Sequence, residues 1–416
     1  MPSLSLRSIS WKTSRVPVST SLRLAALSLA SLSLSSACVS DEDCGLLGSC
    51  TAGACDCDPG WVGATCASLD LVPAPPDAGL RQQNSSNWCL TLLRDPDDEG
   101  LFHGLSADFG GCADGLSIWL TGSRIIHATA SSPVGPFAPA WADGAAEVAV
   151  SGEAHNPQAL RTPDGTFLLL DSYAGPDAGC DLEADYDKCA STGGMCKPKM
   201  PPGGGVGRFI FHEAATPAGP WAPVNVTCDY PCFSQNLTPS PFFHPNGTLF
   251  VVFHCDSGGA HKMGDLVMVR ADSWRDGPFE RVNDGVWSVG DVGPHPEDPF
   301  AFLHTNSKTG ELSWHVILHN NPEGLHLFSR DGLNFTLQQS LAAPEDGSLG
   351  AVPQPPYVFP PTVAQTDGTN FTAGRRERPW ILWKANTTCV PEVLVTSMEA
   401  HSVSPVVFSH AQAVRS

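Results

Sequence analysis

A Gly-Pro-aromatic triplet recurs three times in this chain, each time at the same distance from a later proline. The triplets begin at Gly135, Gly219 and Gly277, and each begins 22 residues before a proline that follows a polar residue. Those prolines are Pro157, Pro241 and Pro299. A constant spacing inside units of different length is typical of one supersecondary unit repeated along the chain. The repeat therefore predicts a fold built from several copies of one unit.

Each proline is followed by an apolar stretch, a tight turn and a second apolar stretch. The turns span 162–165, 244–247 and 307–310, and an earlier one without the proline step spans 95–100. Asp-Gly and Asn-Gly steps in two of them supply the positive φ that tight hairpins need. The 40 glycines and 37 prolines, against 23 lysines and arginines, also favour short strands joined by turns.

Antiparallel units repeated in this way form a propeller, because each sheet needs neighbours to bury both of its faces. We therefore predict an all-β fold with a five-bladed β-propeller over 85–416. The fifth blade begins near Glu377-Arg378-Pro379, and residues 403–409 are expected to close the ring.

Polar residues precede the prolines and so stand where the innermost strands begin. The residue before a proline favours extended backbone and leads the chain into a strand. These side chains are expected to converge at one mouth of the axial channel, either as a binding site or as a plug of mutual hydrogen bonds. The set is His155, Asn156, Ser240, Glu297, Asp298, Glu377 and Arg378.

The first 37 residues have the pattern of a signal peptide. Four basic residues precede an apolar run over 24–34 that is too short to span a bilayer comfortably, and Ala37 is a small residue suited to cleavage. We expect a secreted protein; an uncleaved type II membrane anchor is the alternative. The net charge of −20 argues against nucleic-acid binding.

Cysteines and glycosylation sequons point to the secretory pathway. The chain has 15 cysteines, which suits an oxidising compartment. Seven Asn-x-Ser/Thr sequons support the same interpretation. They begin at Asn84, Asn225, Asn236, Asn246, Asn334, Asn370 and Asn386.

Six of the cysteines lie within residues 38–66, a stretch too short to bury a sizeable core without covalent links. Six cysteines allow fifteen pairings. We assign residues 38–67 to a small disulfide-linked module and residues 68–84 to a linker. Nine cysteines remain, so at least one is unpaired or intermolecular. We expect Cys180, Cys189 and Cys196 to cross-link an insertion and Cys228 to pair with Cys232; Cys89, Cys112, Cys255 and Cys389 are unassigned.

The cysteine spacing and the Gly60-Trp61…Gly63 turn resemble an EGF-like domain. The resemblance implies the pairs Cys38–Cys50, Cys44–Cys55 and Cys57–Cys66. It also implies a spacer or adhesion role, with an extracellular protein as a partner. The sequence lacks the acidic signature of calcium-binding members, so we predict no metal in this module.

The propeller resembles the furanosidase-type five-bladed propellers of glycoside hydrolase family 43. The resemblance implies inverting hydrolysis of polysaccharides such as arabinan or xylan, with an Asp base on the first blade, an orienting Asp on a middle blade and a Glu acid. Glu297 stands where the acid is expected, whereas Ser240 replaces the orienting Asp. Aligning the hairpins puts Asp95 in a turn, near no axial position. Asp298, Glu377 or Asp108 would then have to act as the base.

Three functions fit this pattern. The first is a glycosidase with Glu297 as acid and Asp298 or another axial carboxylate as base. The second is a glycan-binding or adhesion protein with a degenerate hydrolase propeller. The third is a metal-centred hydrolase built on His155, Glu297 and Asp298, which no short metal-ligand motif supports. We predict a glycan partner, no cofactor and no metal.

Overall fold

The computed structural model describes most of the chain after residue 36, with gaps in several connections. The described residues are 37–82, 85–109, 123–142, 145–146, 148–150, 154–173, 208–226, 228, 238–254, 265–282, 287–288, 297–320, 323–338, 357–387, 390–400 and 407–416. Almost all of the predicted signal segment lies outside them. So do Asn84, Asn236, Cys112, Cys180, Cys189, Cys196, Cys232, Cys255 and Cys389.

Five antiparallel sheets form the predicted five-bladed propeller. Blade 1 contains Asn87–Arg94, Phe102–Asp108, Arg124–Ala130, Ala138–Pro139 and Val148–Val150, with a small hairpin of Trp141–Ala142 and Ala145–Ala146 beside it. Blade 2 contains His155–Arg161, Phe167–Tyr173, Arg208–Ala214 and Ala222–Pro223. Blade 3 contains Ser240–Phe243, Leu249–His254, Asp265–Ala271, Glu280–Arg281 and Trp287–Ser288. Blade 4 contains Glu297–Thr305, Leu312–Asn320, Glu323–Ser329 and Thr336–Leu337. Blade 5 contains Thr362–Ala364, Asn370–Trp383, Pro391–Ala400 and Val407–Ala413.

The predicted hairpins are confirmed in blades 1 to 4. In these blades the first strand is innermost, because it contacts the first strands of the adjacent blades. Blade 5 differs: the C-terminal half of Asn370–Trp383 takes the inner position, and its N-terminal end pairs with Thr362–Ala364. The three Gly-Pro bonds of the repeated triplets are cis and lie between the third strand and the short outer strand of blades 1, 2 and 3.

Residues 403–409 were expected to close the ring, and 407–409 of them lie in the described part of the chain. Val407–Ala413 pairs along its whole length with Pro391–Ala400 and is therefore an outer strand of blade 5. It also contacts blade 1, since the N–H of Ser409 donates to Oδ1 of Asn87 at 2.9 Å. A segment before the propeller forms a second connection between blades 5 and 1. Leu80 makes one bridge to Ser409 of blade 5 and another to Phe137 of blade 1, and its side chain is fully buried.

The N-terminal module begins with a short 3-10 helix, Asp41–Cys44, followed by strands Gly48–Thr51, Ala54–Cys57, Trp61–Val62 and Ser68–Leu69. Its disulfides are Cys38–Cys50, Cys44–Cys55 and Cys57–Cys66, the pairs that the resemblance implied. Residues 36–416 form one compact unit. The segment assigned as a linker packs on the propeller, since Leu71 bridges Val414 and Ala74 bridges Gln365. Within the described part of the chain, no helix is long and apolar enough to cross a membrane.

Leu80→Ala is expected to destabilise the protein by about 2–5 kcal/mol, because it opens a cavity where blades 1 and 5 are joined. Urea unfolding followed by fluorescence measures the change. Leu333→Ala is the matched control, since Leu333 is 46% exposed and its truncation leaves no cavity. Equal, small effects of both substitutions would contradict the role of Leu80 in ring closure.

Candidate functional site

A left-handed residue begins the inner strand in four of the five blades. Cys89, Asn156, Asp298 and Arg378 have φ values of 60°, 55°, 56° and 57°. Each lies at a register shift in the pairing with the next strand, as in a β-bulge. Non-glycine residues seldom adopt this conformation, and bulges redirect side chains. A left-handed residue at a register shift thus recurs in four blades around the axis. Blade 3, which begins at Ser240, has an unbroken register instead.

Asp298 and Arg378 form a buried ion pair between blades 4 and 5. Nη1 of Arg378 lies 2.5 Å from Oδ1 of Asp298, and Nδ1 of His319 lies 2.7 Å from Oδ2. Burial opposes ionisation of Asp298, but the charges of Arg378 and His319 outweigh it and lower its pKa to about 2. Burial also opposes the charge on His319, but Asp298 overcomes that effect and raises the imidazole pKa. Asp298 is therefore a charged anchor and a weak proton acceptor.

The axial residue of blade 1 is Cys89. Its Sγ donates a hydrogen bond to Oδ1 of Asn156 at 3.1 Å, and its backbone N–H donates to Oγ of Ser397 at 2.7 Å. Burial raises the pKa of the thiol, so Cys89 is neutral. The resemblance to family 43 puts the catalytic base on this blade, whereas this chain has a thiol linked to the next blade.

His155 and Ser240 are also committed to contacts within the fold. Nδ1 of His155 lies 2.9 Å from Oγ of Ser123, and burial lowers the His155 pKa well below its ordinary value. Oγ of Ser240 accepts a hydrogen bond from the backbone N–H of Ala301 at 2.7 Å. Both residues link adjacent blades, which is the role expected of a plug.

Glu297 is the axial carboxyl that keeps partial exposure. It lies opposite His319 in the strand pairing of blade 4, one residue before Asp298. Burial raises the pKa of Glu297, and the negative charges of Asp298 and Glu377 raise it further, although His319 and Arg378 act in the opposite direction. A partly exposed carboxyl with a raised pKa has the properties expected of a general acid.

Glu377 pairs with Arg375 and not with Arg376 or Arg378, its neighbours in the sequence. Nε of Arg375 lies 2.7 Å from Oε1 of Glu377, and Nε2 of His319 lies 3.7 Å from the same oxygen. Arg376 instead donates to Thr396, to the carbonyl of Pro360 and to Gln412, and is fully buried. The sequence did not show that Arg375, Arg376 and Arg378 have different partners.

Asp298, His319 and Glu377 place one ligand atom each within 4.8 Å of one another, a spacing that suits a metal ion. The guanidinium of Arg378 already neutralises Asp298. A second cation would therefore meet repulsion, and we interpret the cluster as an ion-pair network. Of the residues in the metal-centred hypothesis, only Asp298 belongs to it.

Asp95 and Asp108 have other partners than the residues of this network. Asp95 accepts hydrogen bonds from the N–H groups of Asp97 and Asp98 and lies 3.0 Å from Nε2 of His103, as expected for a turn residue. Asp108 accepts a hydrogen bond from Ser85 and pairs with Arg124. Asp95 is therefore a turn residue, as predicted, and is not a candidate for the missing base.

Sequence reasoning missed Cys89 and His319. Asn156 precedes the turn residue Thr162 by six positions, and six positions before the aligned Asp95 is Cys89. The signal was thus available, although Cys89 lacks the following proline. His319 lies on the second strand and is brought to the axis only by the pairing register, for which the sequence carried no signal.

Comparison with known proteins identifies the architecture. The structure is similar to the catalytic domain of a family 62 α-L-arabinofuranosidase from Coprinopsis cinerea, with a TM-score of 0.51 and 10% identity over 84% of this chain and 98% of that one. The two proteins thus share a fold, which in this chain is a five-bladed β-propeller. No protein-family model and no curated protein sequence matches the chain.

Two further glycoside hydrolases show lower similarity to this propeller. One is a family 117 enzyme from the marine bacterium Zobellia galactanivorans, with a TM-score of 0.46 and 12% identity over 82% of this chain and 88% of that one. The other is a family 43 β-xylosidase/α-arabinofuranosidase from a compost microbial metagenome, with a TM-score of 0.45 and 9% identity over 82% of this chain and 94% of that one.

Arg378→Gln is expected to destabilise the protein by about 3–5 kcal/mol, because it leaves the carboxylate of Asp298 buried without its partner. The double variant Asp298→Asn/Arg378→Gln should lose less than the sum of the two single changes. Arg275→Gln is the control; Arg275 makes partly exposed ion pairs with Asp164 and Glu213, and its loss should cost at most about 1 kcal/mol. Strict additivity in urea unfolding would contradict the pairing.

Proposed function

We propose that this protein is a glycoside hydrolase that acts on a polysaccharide, with Glu297 as the general acid. The proposal rests on one observation: Glu297 is a partly exposed axial carboxyl whose pKa is raised by burial and by neighbouring carboxylates. In this reaction the Glu297 carboxyl gives its proton to the oxygen of the leaving sugar while water attacks the anomeric carbon. The fold likeness to glycoside hydrolase propellers supports this choice of chemistry.

The base that activates the water is assigned to Glu377. Asp298, the base first considered, is engaged by Arg378 and His319, and its low pKa makes it a poor proton acceptor. Glu377 is the remaining carboxylate of the described axial group. Inverting enzymes hold their two carboxyl groups about 6.5–9.5 Å apart, which leaves space for water. We propose inversion on the resemblance to family 43 alone, and product stereochemistry tests it.

Glycan binding without hydrolysis is the second candidate, and Cys89 favours it. A neutral thiol hydrogen-bonded to Asn156 occupies the axial position of blade 1, where the family has its base. Asn156, Ser240 and His155 likewise make contacts between blades. A propeller of this kind would keep the groove of a hydrolase and bind a glycan without cleaving it.

The N-terminal module and the sequons support an extracellular location. We propose that the three-disulfide module is EGF-like and that the protein is secreted, because stable disulfides form in oxidising compartments. The five sequon asparagines in the described part of the chain are all exposed, so each has space for a glycan: Asn225, Asn246, Asn334, Asn370 and Asn386. An extracellular protein partner for the module is part of the same proposal.

Glu297→Gln is expected to lower kcat on the active substrate by at least about 100-fold, because the amide cannot supply the proton. Wild type and variant are compared on arabinan, xylan and galactan by reducing-sugar release and by binding. Glu280→Gln is the control, since the Glu280 side chain is 65% exposed and pairs only with Arg270 among described contacts. Binding of a glycan by both proteins without turnover by either would support the second candidate. Absence of both would contradict the proposed function.

The wild-type rate should also fall as the pH rises through the pKa of Glu297. The acid is active when protonated, and its raised pKa extends that range upwards from the ordinary glutamate value. The pH dependence of kcat/KM measures this decrease. A rate that keeps rising from pH 5 to 8 would contradict Glu297 as the acid.

Secretion from a eukaryotic cell line should yield a protein with N-linked glycans at the five exposed asparagines. Peptide mapping before and after glycosidase treatment measures occupancy at each sequon. Protein retained inside the cells, or secreted without glycans, would contradict the extracellular assignment.

A further inference from the structure

The contact between the N-terminal module and blade 4 contains three buried histidines and one buried aspartate. Asp58 of the module lies 2.6 Å from Nε2 of His304, and both side chains are fully buried. Trp61 of the module stacks on Phe302 and on His326 at centroid distances of 6.4 and 6.3 Å. Titratable rings thus lie where the two parts are joined, and histidine changes charge between pH 5 and 8.

Two of these histidines belong to a hydrogen-bonded chain that ends on the module. Gln338 donates from Nε2 to the backbone carbonyl of Thr65. Its Oε1 lies 2.5 Å from Nδ1 of His326, and Nε2 of His326 lies 2.9 Å from Nδ1 of His315. Nε2 of His315 lies 2.7 Å from Oγ of Ser313. The chain runs from the module through two imidazoles into the blade.

The carbonyl of Thr65 fixes the direction of every donor in this chain. A carbonyl only accepts, so Gln338 must present its NH₂ to Thr65 and its oxygen to His326. Nδ1 of His326 therefore carries a proton, and Nε2 accepts from Nδ1–H of His315. Nε2 of His315 in turn accepts from the hydroxyl of Ser313. With both imidazoles neutral, all four contacts are satisfied.

A proton added to this chain would place a positive charge on buried, stacked rings. On Nε2 of His315 it could be donated to Oγ of Ser313, whose hydroxyl would then turn to the carbonyl of His304, 3.3 Å away. The charge itself would lie on rings that stack on Phe302 and on Trp61 of the module and are shielded from water. Burial lowers the pKa of His315 well below its ordinary value and that of His326 to about 4.

The charged groups nearby do not offset such a proton. His304 lies 5.6 Å from His315, centroid to centroid, and its own partner is Asp58, so that carboxylate is already used. At the rim, Arg330 pairs with Glu42 and Glu311, and Lys308 pairs with Asp56, all at exposed or partly exposed positions. Salt and water screen these outer pairs.

We propose that the contact of Thr65, Gln338, His326 and His315 is a pH-sensitive latch that docks the N-terminal module on blade 4 at neutral pH and releases it in acid. Opening the module would remove Trp61 from the face of His326 and Thr65 from Gln338, so the pKa of His326 is lowered when the module is docked and returns towards its ordinary value when the module is open. Docking is therefore fully stable above about pH 6.5 and weakens as the pH falls towards 4. A difference of two pKa units at one histidine shifts the docking equilibrium by about 100-fold.

Hydrogen exchange of the full secreted chain at pH 7.5, 6.5, 5.5 and 4.5, corrected for intrinsic rates, tests the latch. Peptides covering 38–67 and 323–338 should lose protection by at least about tenfold between pH 6.5 and 4.5, while peptides of blades 2 and 3 keep theirs. Unchanged protection of the module would overturn the proposal. So would loss of protection by all blades together, which reports global unfolding.

The double variant His315→Gln/His326→Gln removes the titrating groups. Whether its module docks or stays open, protection of 38–67 should no longer change between pH 6.5 and 4.5. The matched control is His103→Gln/His127→Gln, a second buried and stacked histidine pair that lies on blade 1 and is hydrogen-bonded at 2.8 Å. The control should keep the wild-type pH dependence. A wild-type response in the double variant would overturn the latch.

Discussion

The left-handed residue near the start of four of the five inner strands is the constraint on which the axial network depends. Four such residues, Cys89, Asn156, Asp298 and Arg378, carry the register shift that redirects the chain at the axis. An ordinary extended residue would keep the alternation of the strand and would place different side chains in the channel. The left-handed conformation is unfavourable at each of these four positions, and the contacts between blades offset that cost.

Those contacts make the centre of the propeller a polar network, and among its described carboxyl groups only Glu297 is partly exposed. The charge of Asp298 is matched by Arg378 and His319, Cys89 is linked to Asn156, and Ser240 is linked to Ala301. Glu297 stands at the edge of this network, where neighbouring carboxylates favour its protonated form. Most of the axial residues thus hold the blades together, as expected of a plug. The proposed function rests on Glu297 as the acid and Glu377 as the base.

Much of the fold could be predicted from the sequence because its signals are local. Tight turns and pre-proline residues fixed the hairpins and the blade count, and the cysteine spacing led to the correct disulfides through a family resemblance. The contacts of Leu80, His319 and Thr65 could not be predicted, because each depends on the meeting of segments far apart in the chain. The pairing of Val407–Ala413 with Pro391–Ala400 could not be predicted either, since a single apolar strand does not reveal its partner.

The protonation state of Glu297 is the central claim, and an NMR titration tests it most directly. Protein labelled with ¹³C at the glutamate carboxyls is titrated from pH 3 to 8, and the Glu297 signal is assigned by its absence from Glu297→Gln. The structure predicts a midpoint above the ordinary glutamate value, because burial and the charges of Asp298 and Glu377 disfavour ionisation. A midpoint at or below that value would contradict Glu297 as the acid of this site.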